Sequence, residues 1–160
     1  MIGGWLASAE DTDRLGEALA LARPPHAVVH LRGELGAGKS TLARALLRAL
    51  GVEGAIRSPT YTLVERYRLA DGDEAWHLDL YRIGDTAELE FLGLDTGEAA
   101  LWLVEWPDRG RGGLPPEDLV IRLQVEGDGR RVQLLPASPV GEAWLARVVH
   151  LEAFRLTHLE

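Results

Sequence analysis

Residues 26–51 read HAVVHLRGELGAGKSTLARALLRALG, and no other stretch restricts the fold as strongly. Ala27 to Leu31 is a short apolar run with the look of a buried strand. Gly33 to Ser40 is too rich in glycine to continue it, and beyond the loop Leu42, Ala45, Leu46 and Ala49 recur at helical spacing until Gly51. A buried strand feeding a helix through a short turn is the unit of α/β architecture around a parallel sheet.

The turn itself has a chemical reading. Gly33-x4-Gly38-Lys39-Ser40 matches the P-loop pattern and lies where that pattern works, between a strand and a helix. Glycines let backbone N–H groups turn inward around phosphates, and the helix adds its positive end. The whole loop, Gly33, Glu34, Leu35, Gly36, Ala37, Gly38, Lys39, Ser40 and Thr41, is therefore expected to hold a nucleotide. Lys39 reaches the outer phosphates and the Ser40 hydroxyl is placed for Mg²⁺. Sixteen of the 17 basic residues are arginine, so the lone lysine stands where a compact ammonium suits a narrow phosphate site better than a planar guanidinium.

A Mg-nucleotide site also needs a carboxylate at the end of a neighbouring strand. Glu105 closes the apolar run LWLV and Asp79 interrupts WHLDLYR; spacing alone leaves both open. His77 and Asp79 are two apart on one strand and could share a metal, although a packed histidine is the commoner outcome. Arg109 and Arg111 are candidate phosphate clamps in a glycine-rich loop. An Asn-Lys-x-Asp guanine reader is impossible, because the chain has no asparagine and its one lysine is in the loop. ATP is favoured by exclusion.

The 160 residues suit one domain with a sizeable core. No run nears the roughly 18 apolar residues of a membrane span, and the start lacks a signal-peptide pattern. Without cysteine there is neither disulfide nor thiolate metal site, and a cytoplasmic protein is expected. A net charge of −8 argues against autonomous RNA or DNA binding, so any such role would run through a partner. The absence of asparagine and the two glutamines fit a thermophilic source and a GC-rich genome equally.

Further elements follow from local pattern. Ser8 to Ala22 reads as a helix capped by Ser8, with Asp11 three residues on. SPTYTLVERYRL and EAWHLDLYRI pair through a turn at Asp71-Gly72. Asp85 and Glu88 cap a short helix over Thr86 to Leu92, and ALWLVEW is a buried strand. Leu119 to Val125 pairs through Asp128-Gly129 with RRVQLLPA, and a last helix from Ser138-Pro139 closes the chain. A P-loop three-layer sandwich is expected, with a mostly parallel sheet, antiparallel edge strands, and the hairpin and helix of about 119–158 packed on it.

GELGAGKSTLARALLRALG, SPTYTLVERY, HLDLYRI and LVEWPDRG, in this order, resemble the TsaE (YjeE) family, small P-loop ATPases of tRNA threonylcarbamoyladenosine synthesis. The resemblance runs from about Thr12 to about Leu123. It implies work with two partner proteins, TsaB and TsaD, which modify the adenosine beside the anticodon while the ATPase supports their turnover. It also implies Ser40 and Glu105 as metal ligands, Asp79 as a second acid needed for activity, and Thr60 and Thr62 near the γ-phosphate. Trp106 and Thr12 would lie beside the nucleotide. Serine stands at position 40 where many members have threonine, with the same hydroxyl. The rival readings are a small-molecule kinase and a nucleotide-gated interaction module without useful turnover.

Overall fold

The computed structural model describes residues 1–94, 99–150 and 157–158. In it the chain forms a mixed sheet with the strand order β3-β4-β5-β2-β6-β7-β1-β8. The strands are β1 (Ile2–Leu6), β2 (Ala27–Arg32), β3 (Val64–Arg68), β4 (Glu74–Asp79), β5 (Leu101–Glu105), β6 (Leu119–Glu126), β7 (Gly129–Pro136) and β8 (Thr157–His158). The helices are α1 (Ala9–Leu21), α2 (Lys39–Ala49) and α3 (Pro139–His150). The central strands β4, β5, β2 and β6 run parallel, and β3, β7, β1 and β8 add antiparallel edges.

Side-chain alternation on the central strands divides the core in two. Val29 and Leu31 of β2 and Leu101 and Leu103 of β5 join Leu15, Leu19, Leu42, Leu46 and Trp144, so all three α-helices cover one face. Val28, Trp76, Leu78, Trp102 and Val104 face the other way, with the Trp76 and Trp102 rings 4.9 Å apart. The layer on that side is built from 3₁₀ turns, Thr86–Leu92 and Pro107–Gly110, rather than α-helices. Asp85 caps the first of them as expected, accepting from Ala87 N–H at 3.0 Å.

Several boundaries differ from the sequence reading. β1 precedes the strand expected to be first; Gly3 and Gly4 hide it, because glycine weakens strand propensity. The Ser8 hydroxyl makes no cap bond; instead Asp11 Oδ2 accepts from Ala7 N–H at 2.8 Å. The second hairpin turns at Gly127-Asp128, one residue earlier than read, because Gly127 supplies the positive φ of 59°. The last helix is described to His150 and Thr157–His158 is a strand on β1; the expected helical residues 151–156 lie outside the described residues. Among the described residues no helix is long and apolar enough to cross a membrane.

The site follows from register. Leu31 of β2 pairs with Glu105 of β5, and Glu105 pairs with Asp79 of β4, so the three strands end together where the glycine loop begins. Open α/β sheets bind their ligands at that edge. The helix bearing the loop is pinned by contact with α1 at Gly16, where an added Cβ would stand 2.7 Å from Ala45 Cβ and 2.9 Å from backbone. Gly16→Ala should therefore destabilise by about 1–3 kcal/mol through overpacking, against alanine's helix preference of about 1 kcal/mol. Urea denaturation checks this; an unchanged or higher midpoint contradicts the contact.

Candidate functional site

Gly33 leaves β2 beneath the Leu123 carbonyl, where a Cβ would meet oxygen at 2.4 Å. Gly38, with φ of 105°, opens α2 in a conformation that side chains resist. Between them Lys39 folds back into the loop, donating to the Gly33 carbonyl and to Glu34 O at 2.9 Å. Its ammonium lies 4.7 Å from the centroid of the Trp106 ring. Burial lowers the lysine's pKa, opposed by the nearby carboxylates of Glu105, Asp79 and Glu34.

Both candidate acids face the helices, since they share strand parity with Leu103 and His77. Glu105 is 3% exposed, and its two oxygens lie 3.1 and 3.0 Å from Ser40 Oγ. Its Oε2 also takes a 2.6 Å bond from His77 Nε2. Asp79 is 7% exposed and accepts from Tyr81 N–H at 3.0 Å. Burial pushes the Asp79 carboxyl up, and neighbouring Glu105 adds to the rise, while the Tyr81 bond, His77 and Lys39 oppose it. Ser40 and Glu105 are hard oxygen donors in contact, able to take a divalent cation; Asp79 stands beside them without touching Ser40's hydroxyl in any described bond.

With this geometry the comparisons are specific. The family model for "Threonylcarbamoyl adenosine biosynthesis protein TsaE" matches residues 6–132. The chain belongs to the TsaE family. It is 41% identical over 117 residues to the tRNA threonylcarbamoyladenosine biosynthesis protein TsaE of Haemophilus influenzae, covering 72% of this chain and 73% of that one. The protein of the same name from Aquifex aeolicus is 38% identical over 128 residues, covering 79% and 89%. The crystal structure of Bacillus subtilis YdiB shares the fold, with a TM-score of 0.76 at 24% identity over 95% of this chain and 98% of the other.

In this TsaE-family chain the loop, both acids and Trp106 gather around one cleft of about 290 Å³, lined by Leu35, Gly36, Gly38, Lys39, Ser40, Thr41, Thr60, Asp79, Tyr81, Glu105, Trp106 and Arg130. Ala37 is buried behind it. Thr60 lines the cleft, its hydroxyl 2.8 Å from that of Ser58. Thr62 lies off the lining and donates to Glu65 at 3.0 Å. Thr12 is buried in an adjoining cavity that shares Gly38, Thr41 and Arg130 with the cleft. Arg109 lies over the Tyr81 ring at 5.6 Å, whereas Arg111 is exposed and paired with Asp108. Among the described residues no group of three or more His, Cys, Asp or Glu side chains is gathered for a metal; His77 and Asp79 take different partners, Glu105 and Tyr81 N–H.

Two lining residues escaped the sequence reading. Arg130 donates to Ala37 O at 3.1 Å and Gly36 O at 3.3 Å, bracing the loop from 93 and 94 residues away. Tyr81 packs its ring 4.9 Å from that of Trp106. The DLYR sequence was a signal for Tyr81, being a tyrosine two residues past a site acid; a hairpin arginine offered none.

The raised Asp79 carboxyl gives a prediction with a sign. Its ionisation is disfavoured by the fold, so a stability penalty is absent below the ordinary value of 3.8 and grows as pH rises from there. Asp79→Asn keeps the oxygen that Tyr81 N–H needs and removes the penalty. Calorimetry should show this variant melting no lower than wild type at pH 4 and higher at pH 8. A lower Tm at pH 8 would contradict the assignment.

Proposed function

We propose that this chain is a Mg²⁺-dependent ATPase of tRNA threonylcarbamoyladenosine biosynthesis that acts with the TsaB and TsaD proteins. The observation that carries the reading is the Ser40 hydroxyl held at 3.0 and 3.1 Å from both oxygens of the strand acid Glu105, at the mouth of the glycine loop. A hydroxyl and one carboxylate fit Mg²⁺, which keeps several waters and takes the remaining oxygens from phosphates. When bound, the ion would neutralise charge developing on the transferred phosphoryl group.

The chain's own residues supply the rest. The loop N–H groups and the start of α2 bind phosphate oxygens, and Lys39 adds a cation inside the loop. Asp79, fixed by Tyr81 N–H, orients the attacking water or the Thr60 segment. Trp106, beside the Lys39 ammonium, and Thr12, in the adjoining cavity that shares Gly38 and Thr41, would lie next to the nucleotide. ATP is favoured by exclusion, since the sequence cannot assemble the Asn-Lys-x-Asp guanine reader.

Among the described residues no arginine is bonded so as to reach the phosphates: Arg109 lies over the Tyr81 ring, Arg111 is exposed, and Arg130, which lines the cleft, is engaged by the Ala37 and Gly36 carbonyls. An arginine supplied in trans is worth about 10³–10⁵ in rate in P-loop enzymes, so the partners complete the site. The net charge of −8 supports leaving tRNA contact to the partners.

Phosphate release should be slow for the chain alone and rise at least about tenfold with the TsaB–TsaD pair, well within the range of trans-supplied groups. Malachite-green assays of the chain, the chain with the pair, and both with tRNA make the comparison. Fast hydrolysis that ignores the pair would contradict the reading, and a phosphorylated metabolite in place of free phosphate would establish a kinase.

A further inference from the structure

His77 is fully buried, yet it belongs to neither the phosphate loop nor the described metal donors. It sits on β4 opposite Leu103, two residues before Asp79, and reaches diagonally to Glu105 at the end of β5. Its Nε2 lies 2.6 Å from Glu105 Oε2. A carboxylate can only accept, so Nε2 carries the proton in this contact. The other nitrogen, Nδ1, has no hydrogen-bond partner among the described residues. Among the described residues the bond to Glu105 is thus the one hydrogen bond of this imidazole. Packing alone would favour an apolar side chain at such a place.

The effect falls on Glu105. At 3% exposure its carboxylate has little water, and its recorded partners are the Ser40 hydroxyl and the His77 ring. Ser40 is the residue with which it would share a cation, so that contact must be free to rearrange. The imidazole is the partner that stays. It is held rigidly in the sheet, and its N–H both offsets the buried charge and fixes the rotation of the carboxyl group.

We infer that His77 is a positioning residue for the metal carboxylate: through its Nε2–H it orients Glu105 toward Ser40 and so sets the site's affinity for a divalent cation. The inference rests on the nucleotide–metal reading above. It makes His77 part of the cation site without contact to nucleotide or ion.

The test titrates the ADP-loaded protein with Mn²⁺ and counts bound ion by electron paramagnetic resonance, with metal-free ADP affinity measured by calorimetry. His77→Leu should weaken Mn²⁺ binding about 10–100-fold while metal-free ADP affinity stays within about twofold, as for loss of an outer partner of a ligand. His77→Gln, whose amide N–H can extend to the place of Nε2, should recover most of the loss. If the leucine variant does not fold, His77→Asn takes its place, since its shorter amide leaves the carboxylate unpartnered. Wild-type Mn²⁺ affinity in the leucine or asparagine variant overturns the inference, and so does glutamine binding no better than leucine or asparagine, because a merely space-filling role would not distinguish them. Failure of the wild-type protein to bind Mn²⁺ with ADP contradicts the nucleotide–metal reading itself, and the inference falls with it.

Discussion

The contact between Ser40 and Glu105 depends on nearly every feature of the fold. It joins the first turn of α2 to the end of β5 through two residues 65 apart in the chain. For the contact to form, β2 and β5 must be parallel and in the register that sets Leu31 beside Glu105. Glu105 must also point to the helical face, which strand alternation fixes once Leu101 and Leu103 are in that core. A one-residue slip of β5 would turn the acid into the other core, among Trp76, Trp102 and the 3₁₀ turns. The apolar alternation thus orients the carboxylate as firmly as any hydrogen bond does.

The cleft holds interactions that the fold alone would not select. Asp79 and Glu105 lie opposite each other in register, and like charges so placed repel. Lys39 is buried beside them at a cost to its own charge. Trp106 has a φ of 56°, a left-handed conformation that costs a non-glycine residue about 1–2 kcal/mol. Its ring is held by Tyr81 on one side and by the lysine ammonium. Backbone strain, a buried lysine and paired acids meeting in one cleft are the pattern of a working site.

Much of this was legible in the chain. The loop, the two acids and the strand–helix order rest on local signals: glycine spacing, a lone lysine, apolar runs ending in carboxylates. The sequence reading alone left Glu105 and Asp79 open, because which acid meets Ser40 depends on the neighbouring strand and the register. β1 was invisible because two of its five residues are glycine. Arg130 was invisible because its role consists of bonds to carbonyls of a distant loop. His77 was read as a packed histidine, and it is packed; what the pattern could not show is that, among the described residues, its one hydrogen bond is to Glu105. Residues acting through long-range contacts lie beyond what local periodicity encodes.

The central claim is that Glu105, not Asp79, joins Ser40 in holding the cation, and a Mg²⁺ titration of nucleotide binding tests it most directly. Trp106 provides the fluorescence signal, since it lines the same cleft. Glu105→Gln should shift the Mg²⁺ dependence to higher concentration, because a neutral amide is a poor ligand for a hard cation. Asp79→Asn should leave that dependence in place while reducing turnover. A Mg²⁺ requirement that moves with Asp79 and stays unchanged in Glu105→Gln would contradict the account.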